Sequence, residues 1–138
     1  MDDKERIGLS LFTLRLGVFL VMAVWTADKF LNPGHAAAVY EHFYFISKDF
    51  AESSMIFIAV VESLILLAFV AGFQKRITYG LVFLLHAVST LFSWKIYLDP
   101  FTIPNILFWA AWPMLAACFT LYLLRDMDTK FTLQSKLG

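Results

Sequence analysis

The sequence predicts an all-α integral membrane protein: a left-handed four-helix bundle with both termini in the cytoplasm and a short interfacial helix in its first outer loop. Three observations carry that expectation. Of the 138 residues, 60% are hydrophobic and 16% charged, and mean hydropathy is +0.72. An average soluble domain is nearer ~45–50% apolar and ~25% charged, and a chain this short has too much surface to hide such an apolar excess from water. Four stretches, at about 8–31, 54–73, 77–97 and 102–124, reach the ~20 mostly apolar residues that a membrane helix needs. Basic residues are also lopsided about those spans. Lys4, Arg6, Arg15, Lys75, Arg76, Arg125, Lys130 and Lys136 fall on one side, and only Lys29, Lys48 and Lys95 on the other. The richer side is expected to be cytoplasmic.

Each element has a chemical boundary. The first span is expected to be a retained helix and not a cleaved signal, because Val24-Trp25-Thr26-Ala27-Asp28 offers no small-residue cleavage site. It ends at Asn32-Pro33-Gly34, where Asn and Pro also read as the cap and first residue of a new helix. That helix lies in the outer loop, with Tyr40, Phe43 and Tyr44 at headgroup depth or packed as an aromatic cap over the bundle. The second span runs to Gln74-Lys75-Arg76, with Ala68 and Gly72 spaced for close approach of a neighbouring helix. The third ends at Asp99-Pro100. The fourth carries no charge, and Pro113 is expected to kink it.

Composition excludes several functions. Eleven basic residues balance eleven acidic ones, which leaves no basic surplus for nucleic acid. Cys118 is the only cysteine, so no disulfide couple forms within the chain. Only one histidine falls inside a span, so no bis-histidine haem is expected. His35 and His42 are seven residues apart in the outer loop and would present too few ligands for a metal.

Ionisable groups inside apolar spans are the strongest functional signal, because each costs ~2.5–3.5 kcal/mol at a helix centre. Arg15, Glu62 and His86 are the three. At 1.5 Å per residue they lie about 10, 16 and 14 Å from the cytoplasmic ends of their helices. The expected arrangement pairs Arg15 with Glu62 and sets His86 beside them. Helical stripes extend the cluster: Arg15, Met22, Thr26 and Lys29 on the first helix; Tyr79, His86, Thr90, Ser93 and Tyr97 on the third; Asn105, Trp109 and Trp112 on the fourth. Together these could line a small pocket or act as hydrogen-bonding glue between helices.

Leu14-Arg15-Leu16-Gly17-Val18-Phe19-Leu20 and Asp28-Lys29-Phe30-Leu31-Asn32-Pro33, with Glu62 and then Gly72 before Lys75-Arg76, resemble the DoxX-like proteins over roughly the first 100 residues. One position departs from the family pattern, with Thr26 standing where glycine is common. The resemblance implies a small four-helix membrane protein linked to membrane redox complexes, its namesake being similar to a subunit of a thiosulfate:quinone oxidoreductase. Arg15, Lys29 and Glu62 are the residues it singles out; His86 comes from the spans alone. The expected function is an accessory or quinone-interacting subunit that is not an independent enzyme, residing in a bacterial-type inner membrane as a homo-oligomer or part of a larger complex. A small transporter or proton pathway, and a structural or assembly factor without a ligand, are the alternatives.

Overall fold

The computed structural model describes residues 1–133, so Lys136 lies outside the described residues. Those residues form helices and turns: α1 (Asp3–Leu31), α2 (Pro33–Tyr44), α3 (Lys48–Val70), α4 (Lys75–Phe92), α5 (Trp94–Tyr97), a 3-10 helix (Asn105–Ala110) and α6 (Ala111–Leu123). Three segments, Asp3–Leu31, Lys48–Val70 and Asn105–Leu123, are long and apolar enough to cross a membrane. Only 28%, 28% and 11% of their most apolar windows are buried within the protein. Leu20, Val24, Phe57, Leu64, Leu67 and Leu123 point outward. So contiguous an apolar exterior suits lipid and not water.

α1 starts where Asp2 accepts a hydrogen bond from the Glu5 amide at 2.8 Å, a side-chain N-cap that satisfies one of the otherwise orphaned amides. Its buried face is Gly8, Leu11, Arg15, Val18, Met22 and Thr26, spaced three or four apart as one helical stripe requires. That stripe packs with Leu66 and Phe69 of α3, Tyr79 and Val82 of α4, and Cys118 and Leu121 of α6 in one core. Lipid is as apolar as leucine, so this contact gains dispersion and close fit more than transfer energy.

α2 has a core of its own. Ala36 and Ala37 pack on Ala51 and Met55 of α3, with Tyr40 against them. Tyr44 lies 5.3 Å from Phe92 and Phe43 6.1 Å from Phe108, measured between ring centroids. The loop helix is therefore an aromatic cap over one end of the molecule.

Two expected spans are interrupted. The third is α4 followed by a break at Ser93 and the single turn α5. Carrying Lys75, Arg76 and His86, α4 is not among the three segments long and apolar enough to cross a membrane. The fourth is 3-10 up to Ala110 and α-helical from Ala111. Pro113 thus sits in the first turn of α6, where its missing N–H costs little, and it marks a change of helix type instead of kinking a long helix.

The other end of the molecule is sealed by the chain after α6. Residues 125–133 fold back beneath the helices, and the Leu133 amide donates to the Ala71 carbonyl at 2.8 Å. Gly72, with φ +62°, makes the turn after α3, and a Cβ there would meet Thr132 Cγ2 at 2.5 Å. Its small size admits this tail and not a neighbouring helix, because α3 has already ended at Val70. Gly72→Ala is expected to cost at least ~1 kcal/mol, since alanine is strained at positive φ, with the clash added. In detergent, thermal unfolding should rank wild type above Gly72→Ala/Thr132→Gly, and that double variant above Gly72→Ala. Equal midpoints for wild type and Gly72→Ala would contradict the packed tail.

Candidate functional site

The polar residues inside the apolar helices fall into three separate sites. The first surrounds Arg15, which has no exposed surface. One guanidinium nitrogen donates to Asp128 Oδ2 at 2.7 Å and to the Tyr79 hydroxyl at 3.1 Å. The other donates to the carbonyls of Lys130 and Phe131, at 2.8 and 3.2 Å. Tyr79 donates in turn to Asp128 Oδ2 at 2.7 Å. The buried Lys75 ammonium donates to the Asp128 carbonyl at 3.0 Å. Phe12 lies beneath the guanidinium, 5.4 Å from its ring centroid to Cζ. The geometry is that of a latch: one fixed cation gathers α1, α4 and the returning tail.

Arg15 therefore does not pair with Glu62. The expectation set all three ionisable groups at one level, but Arg15 lies nearer its helix end and is answered by a tail that no span contains. Glu62, on α3, faces the far end of α1, where Lys29 Nζ approaches Oε2 at 2.9 Å and Thr26 donates to the same oxygen at 3.1 Å. Both charged side chains are 12% exposed. Thr26 and Lys29 are three apart on α1 and reach Glu62 from one face, as helical spacing allows. Tyr40 and Tyr44 of the cap lie within range of this carboxylate. Burial first, and then its negative charge, push both phenols above their ordinary range. They stay protonated at neutral pH. Beside this site, Asp28 holds His35 Nδ1 at 2.7 Å and Asn32 at 3.0 Å, which fixes the turn from α1 into α2.

His86 makes the third site, apart from both ion pairs. It is 1% exposed. Its Nε2 lies 3.0 Å from the Ala111 carbonyl and 3.3 Å from Thr90 Oγ1. Nδ1 is buried and has no hydrogen-bond partner. The imidazole lines a cavity of about 530 Å³ between α1 and the segment from Leu107 to Ala117. Val18, Val21, Trp25 and Met114 make its walls apolar, and Gly17 leaves room at its rim. A Cβ on Gly17 would meet nothing within 4 Å. Trp25 is the aromatic wall, its ring 6.2 Å from the imidazole. This volume is in the usual range for a small-molecule site, ~300–1,000 Å³.

The remaining candidates lie elsewhere. Ser93 is buried and donates to the Ser89 carbonyl at 2.9 Å, at the break after α4. Trp109 and Trp112 are 46% and 42% exposed and pack on Tyr97 instead of lining the interior. The reason is helix type: at three residues per turn, Asn105 and Trp109 point ~120° apart, so the α-helical stripe dissolves. Among the described residues, no group of three or more His, Cys, Asp or Glu stands close enough to hold a metal. Asp128, the Lys75 contact and the opening at Gly17 are the features sequence reasoning missed. The only signal for Asp128 was the need of Arg15 for a carboxylate.

The latch makes a separable prediction. Removing one partner of a buried pair costs ~3–5 kcal/mol. Arg15→Leu and Asp128→Leu should each destabilise strongly, and their double variant should recover a coupling of at least ~1 kcal/mol. Arg15→Leu with Glu62→Leu should be additive. Coupling to Glu62 and none to Asp128, measured by unfolding in detergent, would overturn the assignment.

No protein-family model, curated protein or solved structure matches this chain.

Proposed function

We propose that the chain is a small membrane subunit that seats a lipid-soluble ring, of the quinone type, against His86. The observation that carries this reading is the apolar cavity of about 530 Å³ with one buried imidazole in its wall. Gly17, Val21 and Trp25 on its rim are exposed, so a ligand dissolved in the membrane could enter sideways between α1 and α6 without crossing water. Such sites are largely apolar with a few placed polar groups, and an unpartnered ring nitrogen is the group a ligand would complete.

In this reading the protein is a four-helix bundle with both termini cytoplasmic, supported by the uneven distribution of basic residues about the spans. The resemblance to DoxX-like proteins supports membrane redox work as an accessory subunit of a bacterial-type inner membrane. The donor of electrons sits on another chain, in a homo-oligomer or larger complex. Arg15 and Glu62 have structural tasks here, because each charge is already met by a partner within the chain. That satisfaction also counts against a transport path lined by these charges.

Gly17→Leu tests the cavity without touching His86. Glycine costs ~0.8–1.0 kcal/mol relative to alanine in a helix interior and leucine ranks just below alanine, so the variant should fold at least as well. It should also lose at least ~10-fold in affinity for a short-tail benzoquinone/hydroquinone pair, about 1.4 kcal/mol. Glu62→Gln should leave that affinity unchanged. Wild-type protein that binds neither form of the pair, or a Gly17→Leu variant that binds as wild type does, would remove the reading.

A further inference from the structure

We infer that the His86 site selects the hydroxylated, reduced form of its ring ligand over the oxidised one; this rests on the reading of the cavity as a quinone-type site. The tautomer of one imidazole sets this preference. The Ala111 carbonyl can only accept, so at 3.0 Å His86 Nε2 must carry a hydrogen. Thr90 agrees: its hydroxyl hydrogen is given to the His86 carbonyl at 2.8 Å. That leaves only its lone pairs facing Nε2, 3.3 Å away. The partners of His86 are thus Ala111, Thr90 and the ring of Trp25, none of them charged. An unpaired imidazolium in apolar surroundings is costly, so the ring is neutral. With Nε2 protonated, Nδ1 is a bare acceptor.

A bare buried acceptor discriminates by donor content. A hydroquinone offers two O–H donors. A quinone offers only carbonyl oxygens, which would meet a lone pair with a lone pair. Sites that complete a polar group reject the analogue lacking the match far more strongly than an apolar wall rejects a change of size. Nδ1 has essentially no surface of its own, so a hydroxyl reaches it only when a wall gives. Trp25, 47% exposed and in ring contact with His86, is the wall with space to move. Its fluorescence therefore serves as the probe.

The experiment titrates purified protein in detergent, without oxygen, with three forms of one short-tail ring: the benzoquinone, its hydroquinone and the hydroquinone dimethyl ether. The hydroquinone is expected to bind roughly 10-fold tighter than either other form, the loss expected when a buried acceptor stays unmade. The ether should follow the quinone, because it lacks the donors whatever its redox state. His86→Gln carries both a donor and an acceptor, so it should bring quinone and hydroquinone to near parity while keeping the site. Equal or tighter binding of the quinone, or an ether that binds as the hydroquinone does, overturns the selection and leaves the cavity reading standing. Should none of the three bind, or should Gly17→Leu bind all three as wild type does, the cavity reading falls and the selection with it.

Discussion

A guanidinium with no exposed surface, on a helix apolar enough to cross a membrane, has to be answered from within the chain. Arg15 is answered by Asp128, Tyr79 and two tail carbonyls, and much of the architecture follows. The tail must return beneath the helices to deliver Asp128. Gly72 must be small and left-handed to let it pass. Tyr79 must stand on the buried face of α4, which fixes that helix's rotation and so places His86, seven residues on and two turns along, on the same face. Between helices in lipid, apolar burial supplies little driving force, so polar anchors of this kind set register.

The molecule is thus pinned at both ends and open at its flank. Arg15 and Asp128 close one end. Lys29, Thr26 and Glu62, under the aromatic cap of α2, close the other. Between them the change from 3-10 to α geometry near Ala111 leaves space against α1, and the cavity occupies it. The same change sets the Ala111 carbonyl against His86. A structural irregularity and the tautomer of the one polar ring in the cavity therefore share an origin.

Much of this architecture was legible in the sequence, and the limits are physical. Pro33 announced the first turn of α2, and Gln74-Lys75-Arg76 the turn into α4, because proline and charge act locally; the Asn32 side chain donates to Asp28 instead of capping α2. Of the expected stripe, Tyr79, His86 and Thr90 lie on the buried face of α4, Ser93 is buried at the break that follows, and Tyr97 falls on α5 and is only half-buried. Thr26, Lys29 and Glu62 do meet. The pairing of Arg15 failed because depth along a helix says nothing of a tail that folds back from outside the spans. The stripe Asn105, Trp109, Trp112 failed because it was drawn at 3.6 residues per turn across a segment that is 3-10 up to Ala110 and α-helical only from Ala111. The space beside Gly17 was invisible, since a missing side chain marks a void only once the opposing helix is placed.

The central claim is that the Nδ1 of His86, buried in the wall of the cavity, is a bare acceptor that a donor can reach. Nitrogen-15 NMR of the histidine side chains reads this directly, with His35→Gln and His42→Gln leaving one imidazole to observe. The account predicts a protonated Nε2 and an unprotonated Nδ1 in the free protein. On adding hydroquinone, the Nδ1 resonance alone should shift, in the direction of an accepted hydrogen bond. A proton resident on Nδ1, or an Nδ1 resonance indifferent to saturating hydroquinone, would contradict it.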